Sequence, residues 1–280
     1  MVNLGIVGSG QMGQGIAQVA VLAGHQVFLY DSFPQIAEKA KQKILEKLAK
    51  LQDQLKITSQ QYDSASLSLH TQDKLTGLKS CNIVIEAIKE DYALKQQLFK
   101  ELSTINNKGI LATNTSSLSV GKISQAVQNP ERFIGLHFMN PVPMMPLVEV
   151  ISLENTNSDV LKQSMDFCQT INKTVVQCKD QPGFIVNRIL LPMINQAICA
   201  LEEGLATPED IDTAMNLGAN FPMGPLRLAD FIGLDTCLAI IQTLKDNGEN
   251  LTFSPSKLLV KMVNEGKFGK KSKQGFFTYE

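Results

Sequence analysis

Val2-Asn-Leu-Gly-Ile-Val7-Gly8-Ser-Gly10-Gln-Met-Gly13-Gln-Gly15-Ile-Ala-Gln-Val-Ala-Val-Leu-Ala23-Gly24-His-Gln26-Val-Phe-Leu-Tyr30-Asp31 decides the fold. Val2 to Val7 is an apolar run that meets a glycine-rich turn. The Ala- and Val-rich stretch from Gly15 reads as a helix ending at Gly24, and Gln26 to Tyr30 as a second strand closed by Asp31. Strand, glycine turn, helix, strand and terminal acid, in that order, form a dinucleotide-binding unit. Gly8 allows the tight turn, Gly10 lets backbone approach a pyrophosphate, and Gly13 lets the helix pack close to the strand. The helix N-terminus offers N–H groups and partial positive charge to phosphates. Asp31, eighteen residues past Gly13, is placed to accept hydrogen bonds from a ribose diol. Its charge repels a 2′-phosphate, which favours NAD over NADP. The competing reading is a glycine turn in an unrelated α/β protein, which does not require the terminal acid.

The chain continues in the same pattern. Pro34 to Lys56 is a long polar helical stretch; from Lys39 to Lys56 it carries six lysines against Glu46 and Asp53, a net of +4. Such runs serve as solvated faces, or as a cationic arm for a phosphorylated substrate. Short strands are expected at Leu67 to His70, Ile83 to Ile88 and Gly109 to Thr113, with a helix from about Tyr92 to Leu102. The last of these strands ends in Asn114-Thr-Ser-Ser117, a polar cluster at the sheet edge where ligands bind in open parallel sheets. Those hydroxyls equally suit the cap of a following helix.

A second stretch carries chemistry: Gly135-Leu-His137-Phe-Met-Asn140-Pro-Val-Pro-Met-Met-Pro146-Leu-Val-Glu149-Val150. Two short β-like runs joined by a proline-rich turn bring His137 and Glu149, twelve residues apart, side by side. A carboxylate inside an apolar strand is costly without a partner. An imidazole supplies one: the carboxylate holds one ring N–H, fixes the tautomer, and leaves the other ring nitrogen to take a proton from a substrate. A satisfied structural pair is the alternative.

After a helix over Asp159 to Ile171 and a strand over Thr174 to Cys178, the turn Asp180-Gln-Pro182-Gly183 marks a boundary. The expected domains are residues 1–182 and 183–280. From Phe184 the pattern is helical: Phe184 to Glu203, a start at Thr207-Pro208-Glu209-Asp210, and Pro225 to Leu244. The predicted class is α/β, a Rossmann-type dinucleotide-binding domain followed by an all-helical C-terminal domain. So apolar a module of about a hundred residues is expected to bury one face against another copy, giving a homodimer or higher homo-oligomer.

Composition excludes several partners. A formal charge of −1 with 44% hydrophobic residues gives no surplus of base for nucleic acid, and no apolar run spans a bilayer. The first residues show no export signal. Five scattered cysteines without CxxC spacing indicate reduced thiols and a cytoplasmic location. Three distant histidines, His25, His70 and His137, show no metal spacing.

With the glycine turn, the Asn-Thr-Ser-Ser cluster, the His…Glu hairpin and Pro182-Gly-Phe-Ile-Val-Asn-Arg188 together, the chain resembles the 3-hydroxyacyl-CoA dehydrogenase family, in size its stand-alone bacterial 3-hydroxybutyryl-CoA branch. The likeness runs from about Leu4 to Tyr279 and includes Gly204 to Asp212 and Met223 to Asp235. It implies NAD as cofactor and an acyl-CoA substrate. It makes His137 the catalytic base, Glu149 the acid that orients it, Ser116 a hydroxyl touching substrate and nicotinamide, and Asn187 the amide that positions the reacting oxygen. The cofactor set it implies is Gly8, Gly10, Gln11, Met12, Gly13, Asp31, Glu90, Lys95, Asn114, Ser116, Asn140 and Lys271. Asn140 also faces substrate, and Lys50 and Lys56 are expected on coenzyme A, whose 3′-phosphate is anionic. Three positions depart from the family pattern: Pro146 for lysine, Asp91 for asparagine, and Lys273 for glycine, the last bearing on the path of the tail and on Lys271. Two other readings stand beside this one. A related NAD enzyme acting on a free hydroxy acid or sugar acid needs a cationic clamp. A non-catalytic NAD-binding protein predicts a broken His–Glu–Ser–Asn set.

Overall fold

The structure, a computed structural model, describes residues 1–247 and 254–280. Two compact units divide the chain, Met1–Asp180 and Gln181–Glu280. The first is built on strands β1 (Asn3–Val7), β2 (Gln26–Tyr30), β3 (Leu69–Gln72), β4 (Ile83–Glu86), β5 (Ile110–Thr113), β6 (Phe133–Phe138), β7 (Leu147–Ile151) and β8 (Thr174–Cys178). Between them run helices α1 (Gln11–Leu22), α2 (Pro34–Asp53), α3 (Ser59–Leu67), α4 (Tyr92–Ile105), α5 (Val120–Ser124) and α6 (Ser158–Thr170).

The eight strands form one sheet in the order β3-β2-β1-β4-β5-β6-β7-β8. Every pair is parallel except β6 with β7. The first six strands thus follow the doubly wound order, with the reversal between β1 and β4. Central strands β4, β5 and β6 are buried at every residue, as strands covered on both faces must be. Helix α2 turns Ala37, Ala40, Ile44 and Leu48 to the core. These fall at helical spacing, so its lysines lie on the solvent side.

Helix α3 was not expected. Only Ala65 of its residues is buried, so it carries almost no apolar stripe. It is held at its start by a capping box, Thr58 with Gln61.

The second unit packs α7 (Val186–Glu202), α8 (Pro208–Gly218), α9 (Pro225–Ile232), α10 (Leu234–Asn247) and α11 (Lys257–Asn264) around Leu191, Ile194, Ile198, Leu226, Leu234 and Ile241. The single helix expected over Pro225 to Leu244 is two. Gly233, at φ +104°, breaks it, and Leu234 donates its N–H to the Phe268 carbonyl instead. That conformation favours glycine. Asp212 on α8 caps α9, accepting from the N–H groups of Leu226 at 2.8 Å and Arg227 at 3.0 Å. The buried carboxylate of Asp230 ties down the tail through the N–H groups of Phe276 and Phe277 and the Tyr279 hydroxyl. Among the described residues no helix is long and apolar enough to cross a membrane.

Candidate active site

The site is built along the C-terminal edge of the parallel strands, beginning after β1. Gly8 sits at φ +101° and donates its N–H to the Tyr30 carbonyl at 2.9 Å. A Cβ there would press on the Ala87 carbonyl, and one on Gly13 would collide with the Gly8 carbonyl. At Gly10, by contrast, a Cβ would meet nothing within 4 Å. The loop is therefore closed on its inner side and open on its outer side. Gln11, Met12 and Gly13 supply the first turn of α1, where N–H groups have no partner within the helix. Asp31 at the end of β2 accepts the Ser9 N–H at 2.9 Å, so it pins the loop and keeps further acceptor capacity. The Ser9 hydroxyl is buried with no hydrogen-bond partner among the described residues. An open glycine edge, a helix start and an orphaned hydroxyl are donors that suit a dinucleotide's phosphates. Ser9 was missed in the sequence; a hydroxyl between the two glycines was the available signal.

The loops after β4 and β5 meet at Glu90. Its Oε1 accepts the Ser116 N–H at 2.8 Å, the Ser117 N–H at 3.0 Å and the Thr115 hydroxyl at 2.6 Å. Burial works against the charge of Glu90, but Lys95 and these donors hold its carboxyl below the ordinary range. Lys95, expected among the cofactor contacts, has its ammonium in the interior. It is 1% exposed and lies between Glu86 and Glu90. Two carboxylates thus flank its charge. Asp91 keeps the capping role its position needs: Oδ1 accepts the Leu94 N–H at 3.0 Å and starts α4. Asn114 joins the ends of β5 and β6, its Oδ1 accepting the Phe138 N–H at 2.9 Å.

His137 and Glu149 face each other across the antiparallel pair β6–β7. His137 Nδ1 lies 2.7 Å from Glu149 Oε2, with Glu149 fully buried and His137 5% exposed. With the carboxylate ionised, Nδ1 carries the proton and the basic lone pair lies on Nε2. The turn between the strands, with a cis Asn140–Pro141 bond, is anchored from two sides. Buried Lys173 donates to the carbonyls of Val142 and Met145, the second at 2.7 Å. Gly15 of α1 faces Val142 so closely that a Cβ would meet its Cβ at 2.8 Å. The helix that starts at the glycine loop thus also supports the turn carrying Asn140, whose residue is exposed. The carbonyl of Pro146, in place of lysine, accepts the N–H of Thr174 on β8 at 2.7 Å and ties the end of the turn to that strand.

A groove is lined by Gln11 and Gln14 of α1 and by Lys43, Glu46, Lys47 and Lys50 of α2. Of the two lysines expected on coenzyme A, Lys50 lines this groove beside Lys43 and Lys47, and Lys56 lies beyond the end of α2 at Asp53. Asn187 stands in the first turn of α7 and Lys271 in the tail, both in the C-terminal unit. Lys271 pairs with Asp235 at 2.5 Å. Lys273 adopts φ +60°, in the left-handed region that favours glycine.

Residues 3–181 match the model of the 3-hydroxyacyl-CoA dehydrogenase NAD binding domain, and residues 183–279 that family's C-terminal domain. The chain belongs to the 3-hydroxyacyl-CoA dehydrogenase family. Among its relatives, the probable 3-hydroxybutyryl-CoA dehydrogenase of Deinococcus radiodurans is 44% identical over 278 residues, 99% of this chain and 100% of that one. The mitochondrial hydroxyacyl-coenzyme A dehydrogenase of Homo sapiens is 43% identical over 283 residues, 98% of this chain and 90% of its own. The crystal structure of (S)-3-hydroxybutyryl-CoA dehydrogenase from Ralstonia eutropha superposes with a TM-score of 0.96 at 39% identity, covering all of both chains. The family's NAD binding domain spans the glycine loop, Asp31, Glu90, Ser116, His137 and Glu149; its C-terminal domain holds Asn187 and Lys271.

Proposed function

We propose that the protein is an NAD-dependent dehydrogenase that interconverts a short-chain 3-hydroxyacyl-CoA, 3-hydroxybutyryl-CoA in particular, and its 3-ketoacyl-CoA. The observation that carries this reading is the buried His137–Glu149 pair, 2.7 Å apart, on the ligand edge of a family dehydrogenase's NAD binding domain. Bound NAD supplies the hydride acceptor. The chain's residues do the rest. His137 takes the proton of the 3-hydroxyl at Nε2, and Glu149 stabilises the imidazolium that forms. Ser116 and Asn187 hold the substrate oxygen in reach of that nitrogen. In the reducing direction the imidazolium returns the proton to the keto oxygen. Gly8, Gly10, Gln11, Met12 and Gly13 hold the pyrophosphate of the cofactor, with Ser9 added to them. Asp31 takes the adenosine ribose, and Glu90, Asn114, Asn140 and Lys271 serve the nicotinamide end.

The Lys43–Lys47–Lys50 side of the groove receives the anionic end of coenzyme A. The C-terminal helices form the self-association face: Ile189, Leu205, Leu217 and Phe231 are each more than half exposed. All five cysteines are thiols and none forms a disulfide, in keeping with a cytoplasmic enzyme.

The testing experiment is NADH oxidation with acetoacetyl-CoA, run beside free acetoacetate and beside NADPH. Turnover with acetoacetyl-CoA and NADH, far above the other two combinations, is expected. Equal turnover of free acetoacetate would favour the free hydroxy-acid reading, and no turnover with any acyl-CoA a non-catalytic protein.

A further inference from the structure

Glu86 is the fully buried last residue of β4, and no step above uses it. Its Oε1 accepts from the Lys95 ammonium and from the Ile88 N–H at 2.8 Å; its Oε2 accepts the Thr113 hydroxyl at 2.6 Å. Burying an ion pair contributes little net stability against a well-packed apolar replacement. What it fixes is a position. The same ammonium reaches Glu90 Oε2 at 3.3 Å, and the other oxygen of Glu90 gathers the backbone N–H groups of Ser116 and Ser117. A chain of charge-assisted contacts thus runs from the rigid strands β4 and β5 to the loop bearing Ser116. We propose that Glu86, acting through Lys95 and Glu90, is a positioning residue for Ser116 in the dehydrogenase reaction. This rests on the reading of Ser116 as a substrate contact.

The test is a double-mutant cycle of Glu86→Gln and Ser116→Ala, with kcat for acetoacetyl-CoA reduction measured per NADH-binding site. Ser116→Ala is expected to lower kcat. Glu86→Gln is expected to lower kcat about tenfold in the parent and less than about twofold further in the Ser116→Ala background, because coupled sites are non-additive. The same fold-loss in both backgrounds would make Glu86 merely structural and overturn the inference. Should Ser116→Ala leave kcat unchanged, the reading of Ser116 falls, and this inference with it. If Glu86→Gln fails to fold, Glu86→Asp keeps the charge, withdraws the carboxylate by one methylene from Lys95, and enters the same cycle. A smaller, background-dependent loss is then expected, and an equal loss in both backgrounds contradicts the proposal.

Discussion

His25 is held neutral by what surrounds it. Its Nδ1 accepts the Val2 N–H at 3.2 Å, which leaves Nε2–H to donate to the Thr170 hydroxyl at 2.7 Å. Burial, and then the N-terminal ammonium, push its pKa below the ordinary 6.5. His70 is lowered in the same sense by burial and Lys41. An unfolded chain therefore binds protons just below pH 6.5 that the folded chain refuses, so stability is lost as pH falls through that window. Tm should drop between pH 7 and pH 5.5, and His25→Gln should reduce the slope; an unchanged slope would remove His25 as a cause. At the glycine loop, Ser9→Ala is expected to weaken NADH binding about ten- to a hundredfold, the worth of one hydrogen bond to a charged group. Because the hydroxyl has no partner among the described residues, Tm should barely move; a lost Tm with unchanged NADH affinity would assign Ser9 to the fold. Residue chemistry was legible where a costly placement demanded a partner. Glu149 in an apolar run pointed to His137. Glu86 in Ile83-Val-Ile-Glu86 gave the same signal and went unread, because its partner is a lysine on the following helix.

The turn between β6 and β7 depends on one ammonium. Lys173→Met leaves the carbonyls of Val142 and Met145 without their donor. A loss of about 2 kcal/mol is expected from one buried and one part-buried acceptor, read by urea unfolding. KM for acetoacetyl-CoA and Kd for NADH should both rise, since Asn140 on this turn is assigned to both substrate and the nicotinamide end. Both values unchanged in a folded variant would contradict that assignment. Elements with a strong apolar period were readable: the strands of the parallel sheet, α1, and the hairpin register that pairs His137 with Glu149. Two were not. Helix α3 buries a single alanine, so its capping box rather than its period forms it. The break between α9 and α10 falls inside an uninterrupted apolar period; only Gly233 and a tertiary hydrogen bond to Phe268 divide it.

Across the molecule a near-neutral chain concentrates positive charge on one helix. Charge reversal at Lys47 and Lys50 should raise KM for acetoacetyl-CoA more at low salt than at high, because exposed charges are screened over about 8–10 Å near physiological ionic strength. An equal rise at both salts would argue against electrostatic capture. The two-part organisation was legible from the change of period near Pro182, since strand and helix patterns differ in repeat. The lining of the groove was not. It combines the start of α1 with one face of α2, and sequence alone favoured Lys56 over Lys43 and Lys47. The central claim remains the proton relay. Its most direct measurement is the single-turnover rate of NADH oxidation by acetoacetyl-CoA in His137→Ala, beside NADH affinity. A fall of roughly two to four powers of ten with NADH affinity kept is predicted. An unchanged rate would remove His137 as the base, and lost NADH affinity with normal turnover at saturation would make His137–Glu149 a structural pair.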